Sequence, residues 1–299
     1  MKKLLQIIIV LTLLITGCKS FEAGFKFERP DIPSMIQGEL EQREYLSTHF
    51  WDKIPWNDST VLMTSEMIRK PYYEFLGVIN QLGLSKASKL LQELAARSAS
   101  SSNSISNSFY VMFEESLNNP NSPMREESLY LIVIDEFIRN LLDNDELKNK
   151  LIWDRELIIK NREGEIAENF TISFADGSIA SLRSIASKYT LIFFFDPDCN
   201  ACKEGLLFAE NSPVIQHFMS KYSALAIYTG EDIQSFERVA AVFPKGWKAG
   251  RDLNNMVINE RLYDRRPSPS VYLLDKEKRV IMKDGDIETA EKIIEEFIK

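Results

Sequence analysis

An all-α domain followed by an α/β domain, in which helices flank a mixed central sheet, is the architecture that this 299-residue sequence predicts. Three observations predict it. Up to Asp154 the apolar residues fall at helical spacing. After residue 158 short apolar runs bounded by turn residues take over and alternate with helical segments, as α/β packing requires. Asp176-Gly177, a strong hairpin signal, stands between the first two of those runs. We divide the chain into residues 1–17 (export signal), 18–32 (tether), 33–157 (helical domain) and 158–299 (α/β domain).

The N-terminal stretch "MKKLLQIIIVLTLLITGC" carries Lys2 and Lys3, then an apolar run from Leu4 to Ile15. About a dozen apolar residues are too few to span a bilayer core of ~30 Å. Charge followed by a short apolar run is the pattern of an export signal. Its ending, Ile15-Thr16-Gly17-Cys18, resembles the lipobox of bacterial lipoproteins. That resemblance implies an acylated Cys18 as first residue of a mature chain held to a membrane by its lipid, since several acyl chains anchor far more firmly than one. The alternative is an ordinary cleaved signal or short anchor with Cys18 incidental.

In the helical domain "SPMREESLYLIVIDEFIRNLLDN" is the clearest segment. Ser122 can cap, Pro123 suits the first helical position, and Tyr130, Val133, Ile134, Phe137, Ile138 and Leu141 share a face. "MTSEMIRKPYYEFLGVINQL" and "SKASKLLQELAARS" predict further helices, the first broken or kinked at Pro71. The polar tract Ser98 to Ser108 predicts a loop. In the α/β domain the hairpin around Asp176-Gly177 comes first, then a strand Thr190–Phe195, a helix over roughly 200–220 and a strand Ser223–Tyr228. A helix Glu231–Val242 precedes a charged segment expected to be irregular. Val271–Leu274 pairs with Val280–Met282 across "DKEKR", and a last helix at about 286–298 puts Ile287, Ala290, Ile294 and Phe297 on one face.

The formal charge of −8 would become −10 without the signal segment, which holds two lysines and no acid. An acidic chain with no long basic run lacks the phosphate-neutralising patch of a nucleic-acid binder, so no nucleic-acid partner is expected. With Cys18 used by lipid, Cys199 and Cys202 are the remaining thiols, in a disulfide-permissive space.

Those two cysteines form the C-x-x-C of "TLIFFFDPDCNACKEG", directly after an apolar strand. Zinc needs about four ligands, and the two histidines are poorly placed: His49 lies in the helical domain and His217 stands alone in "PVIQHFMSKY". No metal is therefore expected. A structural disulfide across so short a loop would constrain the unfolded chain little. Redox chemistry fits better, because a thiolate is stabilised where a helix begins, beside unpaired N–H groups and the positive dipole end. Cys199 lies at that strand-to-helix junction, with Cys202 one turn on.

Residues 159–299 resemble the thioredoxin-fold thiol-disulfide oxidoreductases. The resemblance is to the envelope branch related to cytochrome-c-maturation proteins and peroxiredoxins. It rests on the hairpin "AENFTISFADGSIASL", the strand "KYTLIFFF", the C-x-x-C, and Ser268-Pro269 ahead of "SVYLLDKEKRVIMKDG". It implies Cys199 as nucleophile, Cys202 as resolving thiol, a cis Ser268–Pro269 bond beside them, and Ser268's backbone as the edge that docks an extended substrate. The helical half resembles a poorly characterised domain that accompanies such modules in Gram-negative lipoproteins. Together these features predict a lipid-anchored, periplasm-facing disulfide reductase acting on protein thiols and disulfides. The cysteine pair is its own redox group, so no cofactor is expected, and a membrane partner must donate electrons.

The chain departs from the family pattern in three places. The dipeptide between the cysteines is Asn200-Ala201, Asp198 precedes the first cysteine, and Phe193 stands where thioredoxins carry a buried acid. Asp196 and Asp198 are expected to oppose the Cys199 thiolate, against the dipole and Arg265 and Arg266. The competing reading is a non-catalytic binding or assembly lipoprotein that uses the fold as scaffold, with Trp51, Trp56, Tyr72 and Tyr73 as contact residues.

Overall fold

The computed structural model describes residues 25–141, 144–240 and 243–297. The export signal and Cys18 lie outside the described residues, as does the start of the tether. The described chain forms two compact units. One comprises the residues up to Asn118 with Ser128–Asn144; the other comprises Asn119–Glu127 and the chain from Asp145 onwards. The sequence division at 157 differs from this grouping, which sets the helix Asp145–Ile158 with the sheet. Among the described residues no helix is long and apolar enough to cross a membrane.

The helical unit contains α1 (Glu39–His49), α2 (Ser65–Asn80), α3 (Leu84–Ala99), α4 (Asn103–Phe113) with a π turn at Glu114–Asn118, and most of α5 (Glu127–Asn140). Three expectations fail here. First, of the break or kink expected at Pro71 the break does not occur: α2 runs through it, because Ile68, Tyr72, Phe75, Leu76 and Ile79 on both sides of it are buried together. That burial outweighs one lost backbone hydrogen bond. Second, the serine tract is a loop only at 100–102, since Ser98 and Ala99 still belong to α3. From Asn103 it is helical, since Ile105, Phe109, Met112 and Phe113 form an apolar stripe and Ser108 Oγ donates to the Met63 carbonyl at 2.9 Å. Third, α5 starts at Glu127 and not at Pro123: Ser122 Oγ accepts from Met124 N–H at 3.1 Å and closes a turn instead.

Tyr130, Val133, Ile134 and Phe137 are buried as expected, with Ile138 and Leu141 half-buried. Of the four aromatics offered as a contact face, Trp51, Trp56 and Tyr72 are core residues, and only Tyr73, 38% exposed, reaches solvent. Trp51 packs edge-on against Phe50, Phe75 and Phe109.

The second unit opens with α6 (Asp145–Ile158) and builds a seven-stranded sheet in the order β2-β1-β5-β4-β3-β6-β7. The strands are β1 (Thr171–Phe174), β2 (Ile179–Ser181), β3 (Thr190–Phe195), β4 (Ser223–Tyr228), β5 (Trp247–Asp252), β6 (Ser270–Leu274) and β7 (Val280–Gly285). β3, β4 and β5 are mutually parallel, and the remaining pairings are antiparallel. The sheet is therefore mixed, as the sequence predicts. All six residues of β3 are buried. With a period of two along the strand, Leu191, Phe193 and Phe195 enter one core and Ile192 and Phe194 the other.

Two elements differ from expectation. The helix over 200–220 is two helices, α7 (Asn200–Asn211) and α8 (Pro213–Lys221). Ser212 ends the first and caps the second through Ile215 N–H at 3.1 Å, and Pro213 occupies the first helical position, where its missing N–H costs nothing. The charged segment after α9 (Ile233–Ala240) is not irregular: it holds β5, inserted between β4 and β1. Lys248 and Arg251 interrupt its apolar pattern, while Trp247, Ala249, Gly250 and Asp252 are buried. A short α10 (Met256–Asn259) follows, and α11 (Ile287–Phe297) closes the unit with Ile287, Ala290 and Ile294 in the core.

Candidate active site

The chain leaves the buried strand β3 through Asp196-Pro197-Asp198, and Asp196 shapes the exit. Its Oδ1 accepts from Asp198 N–H at 3.0 Å and its carbonyl from Cys199 N–H at 3.1 Å. Cys199 is thereby set at the N-cap of α7 with extended backbone angles, φ −80° and ψ 116°. Its Sγ accepts the backbone N–H of Cys202 at 3.1 Å. A sulfur takes the position that a serine or aspartate oxygen takes at ordinary helix starts. One orphan donor of the helix is thus spent on the group that has to carry negative charge. Cys202, one turn on, is 1% exposed and packs in the core that also holds Phe193. Both cysteines are free thiols.

The segment before β6 completes the site from 69 residues away in sequence. The Ser268–Pro269 bond is cis, as the resemblance implies. Ser268 Oγ lies 3.4 Å from Cys199 Sγ and 3.4 Å from Cys202 Sγ, and the Ser268 carbonyl lies 3.7 Å from Cys199 Sγ. Pro269 rests on α7 at Gly205, where an added Cβ would sit 3.5 Å from the proline Cγ and 3.4 Å from the Phe193 ring. The four residues proposed from sequence, Cys199, Cys202, Ser268 and Pro269, therefore come together.

Asp264 anchors this loop. Its carbonyl accepts the hydroxyls of Ser270 and Tyr272, each at 2.9 Å, and its carboxylate accepts Arg266 N–H and Nε–H at 3.0 Å. Behind it Arg125 donates to Asp284 at 3.0 and 2.7 Å and to Glu127 at 3.1 Å. Lys283 reaches Glu127 at 2.8 Å. Glu127, Asp264 and Asp284 are near enough to share an ion, but Arg125, Arg266 and Lys283 already balance them cation for carboxylate. Of the histidines weighed as zinc ligands, His49 Nδ1 pairs with Asp52 at 2.7 Å and His217 is exposed on α8.

The two thiols differ in acidity for physical reasons. Burial pushes the Cys199 thiol up, but hydrogen bonds from the Cys202 thiol, the Ser268 hydroxyl and the Cys202 N–H outweigh it, leaving the group below its ordinary value. The Asp196 carboxylate opposes that shift, as the sequence suggested. Arg265 Nη1 donates to Thr229 Oγ1 and Arg266 holds Asp264, so neither arginine hydrogen-bonds Cys199 directly. Cys202 is pushed up to about 11, chiefly by burial and then by donating to Cys199. One thiol is poised to attack and the other is kept protonated.

Sequence reasoning missed three contributors. The Ser268 side chain was passed over because only its backbone was assigned a role. Asp264 gives no motif signal, although its partners Arg266, Ser270 and Tyr272 follow closely in the chain. Gly205 did offer one: a glycine inside a helical pattern often marks a close approach.

A crystal structure of a thioredoxin-like protein from Bacteroides caccae is similar over 92% of this chain and 100% of its own, with a TM-score of 0.77 and 27% sequence identity. The C-terminal domain of an uncharacterized protein from Bacteroides fragilis is 36% identical, covers 45% of this chain and 98% of its own, and has a TM-score of 0.44. A domain of a possible thiol-disulfide isomerase from Cytophaga hutchinsonii is 22% identical over 47% of this chain and 95% of its own, with a TM-score of 0.41. No curated protein matches the chain. The second unit thus has the thioredoxin-like fold. Residues 10–161 match the family model described as a domain of unknown function, DUF5106, and with half of its length so matched the chain belongs to that family.

Proposed function

We propose that the protein is a lipid-anchored, periplasm-facing thiol-disulfide oxidoreductase that works as a disulfide reductase through Cys199 and Cys202. The observation that carries the reading is the pairing of a half-exposed N-cap thiol of lowered pKa with a buried thiol of raised pKa one turn on. In the first step the Cys199 thiolate attacks one sulfur of a substrate disulfide, a new S–S bond forms, and the other substrate sulfur leaves with the bonding electrons. In the second step Cys202 attacks Cys199 Sγ, the mixed disulfide breaks, and the second substrate sulfur leaves. Two protons and two electrons pass to the substrate, and the cysteine pair becomes a disulfide. A membrane electron donor restores the dithiol.

The direction follows from what stabilises the thiolate. Neutral donors hold it and the Asp196 carboxylate opposes them, with no cation among the causes of its shift. A modestly stabilised thiolate favours a reducing couple over a strong oxidant. Anchoring rests on the Ile15-Thr16-Gly17-Cys18 ending, and an N-terminal peptide without an acyl group in mass spectrometry would remove it from the proposal.

Trapping tests the function. Cys202→Ser keeps the attacker and removes the resolving thiol, so acid-quenched envelope extracts should show covalent adducts that collapse on reduction. Cys199→Ser should show almost none. Equal adduct patterns in the two variants contradict the assigned roles. Unimpaired turnover of a protein disulfide by both variants contradicts the activity.

A further inference from the structure

We propose that the Ser268 hydroxyl carries the proton that Cys202 must lose, taking the place of the buried acid that this chain replaces with Phe193. The inference rests on the oxidoreductase reading and adds a residue to it. The chemistry poses a definite problem. Cys202 is 1% exposed, and its thiol is held protonated by burial. Before it can attack, that proton needs an acceptor. Phe193 is fully buried with its ring 5.5 Å from that of Trp247, and it offers none.

The side-chain atoms within hydrogen-bond reach of Cys202 Sγ are Cys199 Sγ and Ser268 Oγ. Once Cys199 is tied up in a mixed disulfide, it carries no charge and takes no proton. The serine hydroxyl remains. It can accept and donate at once, and it stands at the same 3.4 Å from both sulfurs. The substrate sulfur bonded to Cys199 leaves from beside that hydroxyl. Cys202 gives its proton to Ser268 Oγ as its sulfur attacks Cys199 Sγ. The Cys199–substrate S–S bond breaks, and the hydroxyl's original proton passes to the departing thiolate. Serine ends as it began, so the step balances with no further reactant. Lys203 and Glu210 line the cleft on the Cys202 side of this path. The Asp196 carboxylate faces Cys199 from the β3 exit, while Arg265 and Arg266 on the opposite loop are bound to Thr229 and Asp264.

The two chemical steps can be timed separately by mixing the reduced, full-length protein in detergent with excess oxidised glutathione, whose alkyl thiol leaves with a proton at neutral pH, and quenching with acid. The first glutathione released reports attack by Cys199 and the second reports resolution by Cys202. Ser268→Ala should slow the second release by roughly a hundredfold at neutral pH, the usual scale of general acid–base assistance. The first release should change far less. The deficit should shrink as pH rises and Cys202, whose pKa burial raises, ionises unaided. Ser268→Thr, which keeps a hydroxyl, should recover most of the rate. A second release within a factor of about two of wild type in Ser268→Ala overturns the proposal, given that scale. So does a deficit that stays constant across pH, which would mean that the hydroxyl only shapes the loop. A wild type with no first release overturns the oxidoreductase reading and the relay together, whereas a normal first release with an unaffected second overturns the relay alone.

Discussion

Cys199 caps its own helix with the atom that does the chemistry, and that coincidence governs its acidity. The thiolate gains from the Cys202 N–H at 3.1 Å and from the Ser268 hydroxyl, and loses to burial and to Asp196. Asp196→Asn isolates the electrostatic part, because asparagine keeps an Oδ1 to accept Asp198 N–H and so preserves the turn. Removing a negative charge that raises the Cys199 pKa must lower it further. Alkylation of Cys199 at mildly acidic pH should therefore be faster in Asp196→Asn than in wild type. An unchanged or slower rate would show that the carboxylate does not act on the sulfur. At this scale the sequence was legible where spacing is local: C-x-x-C after "TLIFFF" placed both thiols. It was not legible for the Ser268 hydroxyl, because nothing in a linear reading says which way a side chain 69 residues off will point.

Among elements, the loop from Asp264 to Ser270 has to hold Ser268 against two sulfurs, and ionic groups fix its base. Arg125 is 17% exposed and lies among Glu127, Asp264 and Asp284, the last two almost fully buried. Arg125→Met keeps the stem but strands the buried Asp284, while Asp264 and Glu127 keep Arg266 and Lys283, and removing one partner of a buried ion pair costs about 3 kcal/mol or more. Urea unfolding followed through the second unit should report a loss of that order, with Arg125→Lys recovering part of it. A change within about 0.5 kcal/mol, ordinary for a surface substitution, would show that the cluster contributes nothing to stability. β3, β4 and β6 could be read from the sequence because central strands are continuous apolar runs, and the edge strand β7 because Val280-Ile281-Met282 follows β6 across a short charged turn. β5 could not, since Lys248 and Arg251 interrupt its pattern and only pairing with β4 and β1 makes it a strand. Ser104, Ser106 and Ser108 misled in the other direction. Their hydroxyls suggested a loop, yet Ser104 and Ser108 both bond the Met63 carbonyl, and Ile105 and Phe109 bury the helix.

At the scale of the whole molecule, a thioredoxin-like unit with two free thiols accompanies a DUF5106 unit whose aromatics Trp51, Trp56 and Tyr72 are spent on its own core. The chain has three cysteines, and under the proposed acylation of Cys18 the pair Cys199 and Cys202 is the one couple that can be oxidised and reduced. Its midpoint potential therefore reads the proposed function without interference. Strong oxidants of this chemistry lie near −120 mV and thioredoxin-type reductants near −270 mV, as the stability of the reduced thiolate dictates. The measurement that tests the central claim most directly is that potential, taken on the full-length protein equilibrated in glutathione or dithiothreitol buffers and quenched with acid. A reversible two-electron transition between roughly −200 and −300 mV, absent in Cys199→Ser, is the predicted result. A midpoint near −120 mV would reverse the proposed direction, and no reversible transition at all would contradict the oxidoreductase account.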